Sequence, residues 1–365
     1  MDLNDIFLHF KNLSDEKKNR FIINLIILLE LAEDAMSLKG PYRFVLDSNI
    51  IMRLEDYERE CFQEGLLSIM LFFDYYKQQS QFKADLIVTP VVFYEFFRLQ
   101  NVSNLKEYWG KFQSIRGLIE RSLGTDVLFD NLDSFEKTEH YINCIEHDSN
   151  LIKERLLEIK DSEFHYDFIR SPGGVMGALR QDGMIEVAPI LAADHLYKDL
   201  NTQYFHPYYV ALFLKDHMAH KLSTNSVNNL DVAKEYDNEY LLREVVHLDR
   251  KGRVKGLADI ELLWKGNIRS QFNSQSRGNY HPVSIPLTVD TNLFLSLKKM
   301  SGYGVVGDQI VGGEDPDIMK AKTEILLDDV NRRMTRAKEQ QNEFIKSRNE
   351  YLKNISSKFE IKINI

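Results

Sequence analysis

The sequence has 365 residues, of which 44% are hydrophobic and 28% are charged. This composition is ordinary for a globular protein and excludes a wholly disordered chain. Asp and Glu total 55 against 46 Lys and Arg, a formal net charge of −9. That charge excludes a protein that coats nucleic acid through its overall charge, so any such contact depends on a local basic patch. The two cysteines, Cys61 and Cys144, are too few for a disulfide framework or a zinc-ligand set, which favours a reducing compartment.

The N-terminal segment predicts buried helix rather than a membrane anchor. Its most apolar run, at 21–31, is too short to span a bilayer and contains Asn24 and Glu30. The small-residue cleavage pattern of an export signal does not follow it. We therefore expect an N-terminal helical segment at 1–40, no membrane partner and a cytoplasmic location.

Three short apolar runs have the character of buried strands. Residues 42–47 and 285–290 are apolar and each run ends in an aspartate. A third run, at 86–88, leads into Thr89 and Pro90, a pair that suits the N-terminus of a helix. These runs predict an α/β protein with a parallel sheet.

The remainder of the chain is predicted to surround this sheet. The core is expected at 41–100 and 256–312. Residues 101–255 have a helical composition without clear strand alternation, which predicts a large helical insertion. Residues 313–365 are expected to form a C-terminal helical arm and a terminal strand.

The C-terminal arm has two features of its own. A charged helix that opens at Asp315 and runs to about Lys353 would be about 57 Å long, which exceeds the width of a compact domain. Such a helix predicts a surface for a protein partner or a homo-oligomer, and the alternative is packing onto its own domain. The last seven residues, 359–365, alternate apolar and polar side chains as a strand does.

Four acidic residues occupy positions where ligands bind in open α/β sheets. Asp47 and Asp290 end apolar strands, whereas Glu95 and Asp259 lie early in predicted helices. Because ligands bind at the carboxyl ends of parallel strands, the four carboxylates are expected to converge there. Converging carboxylates repel one another unless a cation neutralises them, and Mg²⁺ or Mn²⁺ prefers oxygen ligands. The pattern predicts a metal site suited to phosphodiester hydrolysis.

Each acid also has an ordinary structural explanation. Asp47 and Asp290 open Asp-x-Asn sequences that are typical of turns and helix caps. Glu95 fits a surface acid on an aromatic helix, and Asp259 fits an acid that the helix dipole favours. The combination of two strands ending in Asp-x-Asn with two helical acids between them favours a functional site.

Four segments together resemble the PIN-like nuclease domains. They are FVLDSNI at 44–50, TPVVFYEFF at 89–97, GLADIELLW at 256–264 and LTVDTNLF at 287–294. That family includes toxin endoribonucleases, RNA-processing and RNA-decay nucleases and relatives of flap endonucleases. The resemblance implies a three-layer fold with a parallel sheet between helices, an acidic pocket and metal-dependent phosphodiester cleavage.

The resemblance also implies roles for individual residues. The catalytic and metal-binding acids it implies are Asp47, Glu95, Asp259 and Asp290. Asn49 matches the small polar residue two positions after the first acid, and Thr288 matches the hydroxyl two positions before the last. Both are expected to lie on the nucleic-acid side of the site.

A basic cluster precedes the third acid and predicts contact with a phosphate backbone. Its members are Arg250, Lys251, Arg253 and Lys255. The basic residues that follow the acid are Lys265, Arg269 and Arg277. Cations beside an acidic cleft hold a backbone near the metal, and the alternative is a solvated loop. Tyr280 and His281 nearby fit either stacking on a base or packing.

Other chemistry-bearing patterns are weaker. His206, His217 and His220 lie close in sequence, but no further ligand pattern supports a zinc site. The glycine-rich stretch at 302–313 lacks the spacing and the lysine of a nucleotide-binding phosphate loop.

The sequence therefore predicts a nuclease that uses Mg²⁺ or Mn²⁺ and acts on RNA in preference to DNA. The RNA preference rests only on the composition of the family that the chain resembles. A toxin or antiviral effector is one form of this role. The alternative is a catalytically inactive PIN-like scaffold that binds a partner, and the presence of all four acids favours the enzyme.

Overall fold

A computed structural model gives the architecture of most of the chain. The described residues are 3–79 except 37 and 39, 83–99, 105–129, 134–161, 242–268, 281–301 and 341–361, with three short strands between 167 and 186, single residues between 205 and 220 and between 271 and 275, and residue 339.

Helices and strands alternate along the first part of the chain. The described strands are β1 Tyr42–Leu46, β2 Ala84–Val88, β3 Val127–Phe129, β4 Asp167–Arg170, β5 Met176–Arg180, β6 Gly183–Glu186, β7 His247–Leu248, β8 Val254–Lys255 and β9 Val283–Leu287. The described helices are α1 Leu3–Lys11, α2 Asp15–Ala35, α3 Ser48–Glu58, α4 Glu64–Gln78, α5 Pro90–Leu99, α6 Leu105–Leu123, α7 Phe135–Asp161, α8 Leu242–Val245, α9 Leu257–Lys265, α10 Thr291–Ser301 and α11 at 341–359.

A four-stranded parallel sheet lies at the centre, in the order β3-β2-β1-β9. Phe44 of β1 lies beside Leu86 of β2 and Ile285 of β9, and all three side chains are buried. Strands covered on both faces read as continuous apolar runs, which explains why these segments lack alternation. The predicted mixed α/β class with a parallel sheet is confirmed, and helices make up most of the described structure.

The parallel arrangement brings the ends of several strands to one edge of the sheet. β1 ends just before Asp47, β2 just before Thr89, and β9 just before Thr288. Helices α3, α5 and α10 begin within four residues of these strand ends. This edge is therefore lined by residues between strands and helices, as expected for a ligand-binding edge.

The N-terminal helices belong to the same hydrophobic core as the sheet. Helix α2 packs against α4, whose Phe72 contacts Phe44 of the sheet with ring centroids 5.6 Å apart. Phe10 meets the Phe359 ring of α11 edge-on and Phe21 stacks on it, with ring centroids 5.0 Å and 6.0 Å away. The helical segment predicted at 1–40 is thus an integral layer of the fold.

The region predicted as a helical insertion, 101–255, also contributes strands. Helices α6 and α7 agree with the expectation, but β3 pairs in parallel with β2 in the central sheet. Strands β4 to β6 form a separate antiparallel sheet, and β7 pairs with β8. The sequence did not reveal β3 because it has three residues, too few to show a period. The sheet therefore extends past the boundary predicted at residue 100.

The described part of the C-terminal arm packs onto the protein's own core. Helix α11 buries Phe344, Leu352 and Ile355, and the Tyr351 hydroxyl donates a hydrogen bond to the Leu71 carbonyl, 3.2 Å away. The strand predicted at 359–365 is wrong at its start, because Phe359 ends the helix and Glu360 has a positive φ of 54°. The predicted course of the arm through 302–338, including the glycine-rich stretch, lies outside the described residues.

Within the part of the chain that the structure describes, no helix is both long enough and apolar enough to cross a membrane. Both cysteines are free thiols.

Candidate functional site

Asp47 lies at the carboxyl edge of the sheet with only 1% of its surface exposed. It directly follows β1 and occupies the N-cap position of α3. Its backbone N–H donates to the Leu287 carbonyl of the neighbouring strand β9, 3.0 Å away. The acid predicted at the end of an apolar run is therefore buried, although most Asp residues are exposed.

Three donors surround the Asp47 carboxylate. The Thr288 hydroxyl donates to Oδ2 across 2.8 Å, and the Asn49 side-chain amide donates to the same oxygen. The Ser48 hydroxyl is 3.2 Å from Oδ1. A buried carboxylate without such partners would be costly, so these contacts hold Asp47 in one orientation.

Asn49 and Thr288 support Asp47 from within the protein. Thr288 has no exposed surface, and its hydroxyl also accepts from the Asp290 N–H at 2.9 Å. The Asn49 amide nitrogen lies 3.0 Å from that hydroxyl, and its oxygen accepts from the Val289 N–H at 3.3 Å. The expectation that Thr288 contacts nucleic acid is wrong, because it has no surface to offer. The polar groups of Asn49 are likewise committed to Asp47 and the end of β9.

Glu95 lies one and a half turns into α5 and binds the start of α9. One carboxylate oxygen accepts from the Gly256 N–H at 3.0 Å and the other from the Ala258 N–H at 2.7 Å. The first N–H groups of a helix lack partners within it and carry partial positive charge, so a carboxylate is favoured there. Glu95 thus joins α5 to the helix that carries Asp259.

Gly256 is required at this junction. Its φ is +82°, in the left-handed region that glycine adopts without cost. A Cβ atom there would lie 2.2 Å from the Val245 carbonyl oxygen and 3.0 Å from Oδ2 of Asp259. An oxygen of the Asp259 carboxylate therefore lies close to Gly256, whose N–H is bound by Glu95.

The four predicted acids interact electrostatically. Burial raises the pKa of Asp259 well above its usual value, and the negative charges of Asp47, Glu95 and Asp290 raise it further. Burial raises the pKa of Asp47 to about 7; the Thr288 hydrogen bond opposes this, while the charges of Glu95 and Asp290 add to it. Like charges that face one another favour the protonated form. The four acids predicted from the sequence therefore lie within electrostatic reach of one another.

Asp290 differs from the other three acids because it is exposed. Its Oδ1 accepts from the N–H groups of Asn292 at 2.7 Å and Leu293 at 3.1 Å, so it caps α10. The helix-cap explanation for this residue is correct. The cap uses one of the two carboxylate oxygens.

The donor set has the charge and the atom type that a hard divalent cation requires. Carboxylates whose negative charges repel one another are stabilised when a cation neutralises them. Among the described residues, however, no three His, Cys, Asp or Glu side chains are grouped so that they could hold one ion. Both oxygens of Glu95 accept hydrogen bonds from backbone N–H groups. The chemistry of the site fits Mg²⁺ or Mn²⁺, and a complete set of three ligands is not formed.

The predicted basic cluster lies on the hairpin formed by β7 and β8, which leads directly into Gly256. Arg250, Lys251 and Lys255 are exposed on it. Arg253 is committed to Asp249, with its Nη2 and Nε atoms both 2.8 Å from Oδ2 of that residue. The guanidinium of Arg253 therefore closes the hairpin, and its contact with a phosphate stays a prediction.

Of the other predicted basic and aromatic residues, one is paired, one is exposed and three lie outside the described residues. Lys265 forms an ion pair with the buried Glu261, at 2.6 Å. His281 is exposed. Arg269, Arg277 and Tyr280 lie outside the described residues.

The histidines form no site in the described residues. His217 Nε2 donates to the Val246 carbonyl at 2.6 Å, and burial lowers its pKa. His220 is exposed, and His206 lies outside the described residues. His217 is thus a packed, hydrogen-bonded histidine.

Sequence reasoning did not identify Glu261 as part of the site. This residue has no exposed surface, and it accepts a hydrogen bond from the Thr89 hydroxyl at the end of β2. The available signal was its spacing of four from Lys265 on a helix that is otherwise almost entirely apolar.

Comparison with known proteins gives no family assignment. No family model, no curated protein and no solved structure matches the chain.

Proposed function

We propose that this protein is a metal-dependent nuclease with a PIN-like, three-layer core. One observation carries the proposal: Asp47, Glu95, Asp259 and Asp290, from four separate segments, interact electrostatically near the carboxyl edge of a parallel sheet, where burial and the neighbouring negative charges raise the pKa of Asp47 and of Asp259. Mutually repelling acids are costly to the fold and are stabilised by a cation. The resemblance to PIN-like nucleases supplies the reaction class.

Each residue has a distinct part in the proposed site. Asp47, Asp259 and Asp290 are the proposed ligands of Mg²⁺ or Mn²⁺, although the described structure does not group the three around one ion. The bound cation would supply charge neutralisation and an activated water for attack on a phosphodiester. Thr288 orients the Asp47 carboxylate by hydrogen bonding. Glu95 adds negative charge and holds the start of α9, so that Asp259 faces the other acids.

The proposed substrate is nucleic acid, with RNA preferred over DNA because of the family resemblance. The exposed side chains of Arg250, Lys251 and Lys255 lie on the hairpin that ends at Gly256, beside the acids. They are placed to bind phosphates flanking the cleaved bond. We also propose a cytoplasmic location and a role as a toxin or antiviral effector.

A second candidate function is a catalytically inactive PIN-like scaffold. The arrangement of the acids favours it, since among the described residues no three are grouped so that they could hold one ion. In addition, two backbone N–H groups already bind the Glu95 carboxylate. A protein partner or a homo-oligomer at the C-terminal helix belongs to either proposal. The described part of that helix turns its large apolar side chains inward.

The test compares two aspartate-to-asparagine variants. Asp126 is exposed and directly precedes β3, at the opposite edge of the sheet, so Asp126→Asn is the matched control for Asp259→Asn. Labelled single-stranded RNA and DNA are incubated with the purified proteins and Mg²⁺, Mn²⁺ or EDTA. We expect metal-dependent cleavage by the parent and by Asp126→Asn, faster on RNA, and none by Asp259→Asn.

Thermal unfolding separates the two candidate functions. A cation that binds only the folded protein stabilises it by about 2.7 kcal/mol at 100 times its Kd. A parent that gains this stability but cleaves neither RNA nor DNA is a metal-binding scaffold. A parent that neither gains stability nor cleaves in millimolar Mg²⁺ and Mn²⁺ contradicts the nuclease proposal.

A further inference from the structure

A second connection joins α5 and α9 behind the acids. The Thr89 hydroxyl, at the end of β2, donates to Oε2 of Glu261 and accepts from the Val92 N–H at 3.3 Å. Thr89 therefore caps the first turn of α5 and binds the middle of α9 at the same time. Both Thr89 and Glu261 are buried, with 1% and 0% of their surface exposed.

Lys265 makes the buried carboxylate of Glu261 tolerable. Its ammonium group lies 2.6 Å from Oε1, so one oxygen of Glu261 faces a positive charge and the other faces a hydroxyl. A fully buried carboxylate is expensive unless it is paired and hydrogen-bonded. The contacts with Lys265 and Thr89 therefore hold Glu261, and with it α9, in one position.

The position of α9 decides where Asp259 lies. Helix α9 contacts α5, and Glu95 of α5 holds the N–H groups of Gly256 and Ala258 at the start of α9. The Thr89–Glu261 contact holds the same helix about one turn later. Two contacts separated along a helix define both its position along its axis and its rotation about it. Asp259 lies between the two contacts, so they determine where its carboxylate points.

We propose that Glu261 is a positioning residue that, through Thr89 and Lys265, holds Asp259 toward the other acids. The inference rests on the proposed function in one respect, that Asp259 contributes to cation binding. Glu261 itself has no surface through which it could touch a substrate.

The variants separate the hydrogen bond from mere packing. In Glu261→Gln the side chain keeps its size, but an amide nitrogen must face either the Lys265 ammonium or the Thr89 hydroxyl. Thr89→Val removes the hydroxyl and keeps the shape, and Thr89→Ser restores it. The matched control is Glu120→Gln, which breaks an exposed ion pair with Arg116 on α6.

The first measurement does not depend on any metal. Amide hydrogen exchange at Gly256 and Ala258 should be faster in Glu261→Gln and in Thr89→Val than in the parent. Thr89→Ser and Glu120→Gln should exchange at the parent rate. If exchange at both amides is unchanged in Glu261→Gln and in Thr89→Val, Glu261 does not hold α9 and the inference is overturned.

The second measurement is Mn²⁺ affinity by titration calorimetry. We expect each of the two substitutions to weaken binding by about 10-fold to 100-fold, as is typical for residues that orient metal ligands. The double variant should be no weaker than either single one, because both act through one hydrogen bond. If both single variants bind Mn²⁺ as tightly as the parent while Asp259→Asn binds it more weakly, the positioning role of Glu261 is overturned and the proposed function is not. A parent that binds no Mn²⁺ overturns the proposed function, and the exchange experiment still decides whether Glu261 holds α9.

Discussion

Glu95 and Gly256 are joined by a hydrogen bond of 3.0 Å between a carboxylate oxygen and a backbone N–H. The contact brings together two segments separated by the whole of the region between α5 and α9. Because the Ala258 N–H is bound by the same carboxylate, the start of α9 is held at two points. The relative position of two of the four acids thus depends on backbone geometry at a glycine.

The first prediction concerns that glycine. Gly256→Ala should destabilise the fold and disturb the acidic site, because the added Cβ would meet the Val245 carbonyl oxygen at 2.2 Å and φ is +82°. We expect a loss of about 2–4 kcal/mol in the free energy of unfolding, from backbone strain and a steric clash together. Urea unfolding measures it.

Gly252→Ala is the matched control for this prediction. Gly252 also has a positive φ, of +67°, but nothing lies within 4 Å of the position of its Cβ. Its substitution should cost about 1 kcal/mol, the cost of a left-handed conformation alone. Equal losses in the two variants would mean that the close approach at Gly256 does not constrain the fold.

The second prediction concerns the dependence of stability on pH without metal. The pKa of Asp47 in the folded protein is about 7, above the value of about 3.9 in an unfolded chain. Between these values the folded protein retains a proton that the unfolded chain has released. Stability from this group is therefore complete below pH 4 and is lost as the pH rises to 7, by a few kcal/mol.

Denaturant unfolding in EDTA between pH 4 and pH 8 measures this loss. Asp259 acts in the same direction, because its pKa is also raised. Burial opposes the ionisation of Asp249, but its hydrogen bonds, chiefly from Arg253, lower its pKa to about 2. Asp249 therefore affects stability only below this pH window. In Asp47→Asn the decline should be much smaller. His217, whose pKa burial lowers, acts in the opposite direction within this window, so the parent is compared with Asp47→Asn. Equal dependence of stability on pH in the parent and in Asp47→Asn would show that the pKa of Asp47 is not raised.

The sequence predicted the acidic edge but not the contacts that build it. Asp47 and Asp290 could be placed because both follow apolar runs, and such runs become adjacent parallel strands whose ends coincide. The bond from Glu95 to Gly256 could not be derived, because no local pattern specifies which backbone amides a distant carboxylate meets. The ion pair of Arg253 with Asp249 could not be derived for a related reason, since a loop arginine and a hairpin ion pair look alike in one sequence.

The third prediction concerns the two aspartates that follow apolar strands. Asp47→Asn should abolish cleavage dependent on Mg²⁺ or Mn²⁺ while the protein stays folded, because an amide keeps the shape but not the charge that the cation needs. Asp290→Asn should also abolish cleavage, and its oxygen can still cap α10. Cleavage assays and circular dichroism at pH 7.5 measure both effects. Undiminished cleavage by both variants, beside an active Asp126→Asn, would contradict the assignment of these acids.

The last prediction concerns how a protein with net charge −9 holds a polyanion. Its long-range attraction for nucleic acid is weak, so binding must depend on local cations such as the exposed Arg250, Lys251 and Lys255. Each lost phosphate contact reduces the slope of log affinity against log salt concentration by about 0.7 for single strands. Replacing all three residues by Ala should therefore flatten the slope by about 2 and weaken binding, with little change in stability.

Two further variants make this prediction specific. Replacing Lys11, Lys77 and Lys160 by Ala removes the same charge from exposed sites elsewhere and should leave the salt slope unchanged. Arg253→Ala should lower stability, because it breaks the pair with Asp249, and should leave the slope nearly unchanged. Binding to labelled RNA is measured by fluorescence anisotropy between 50 mM and 300 mM salt, with EDTA present to prevent cleavage. If the triple hairpin variant keeps the parent slope, the substrate path runs over another surface, because cations that bind phosphate cannot be removed without releasing fewer counterions.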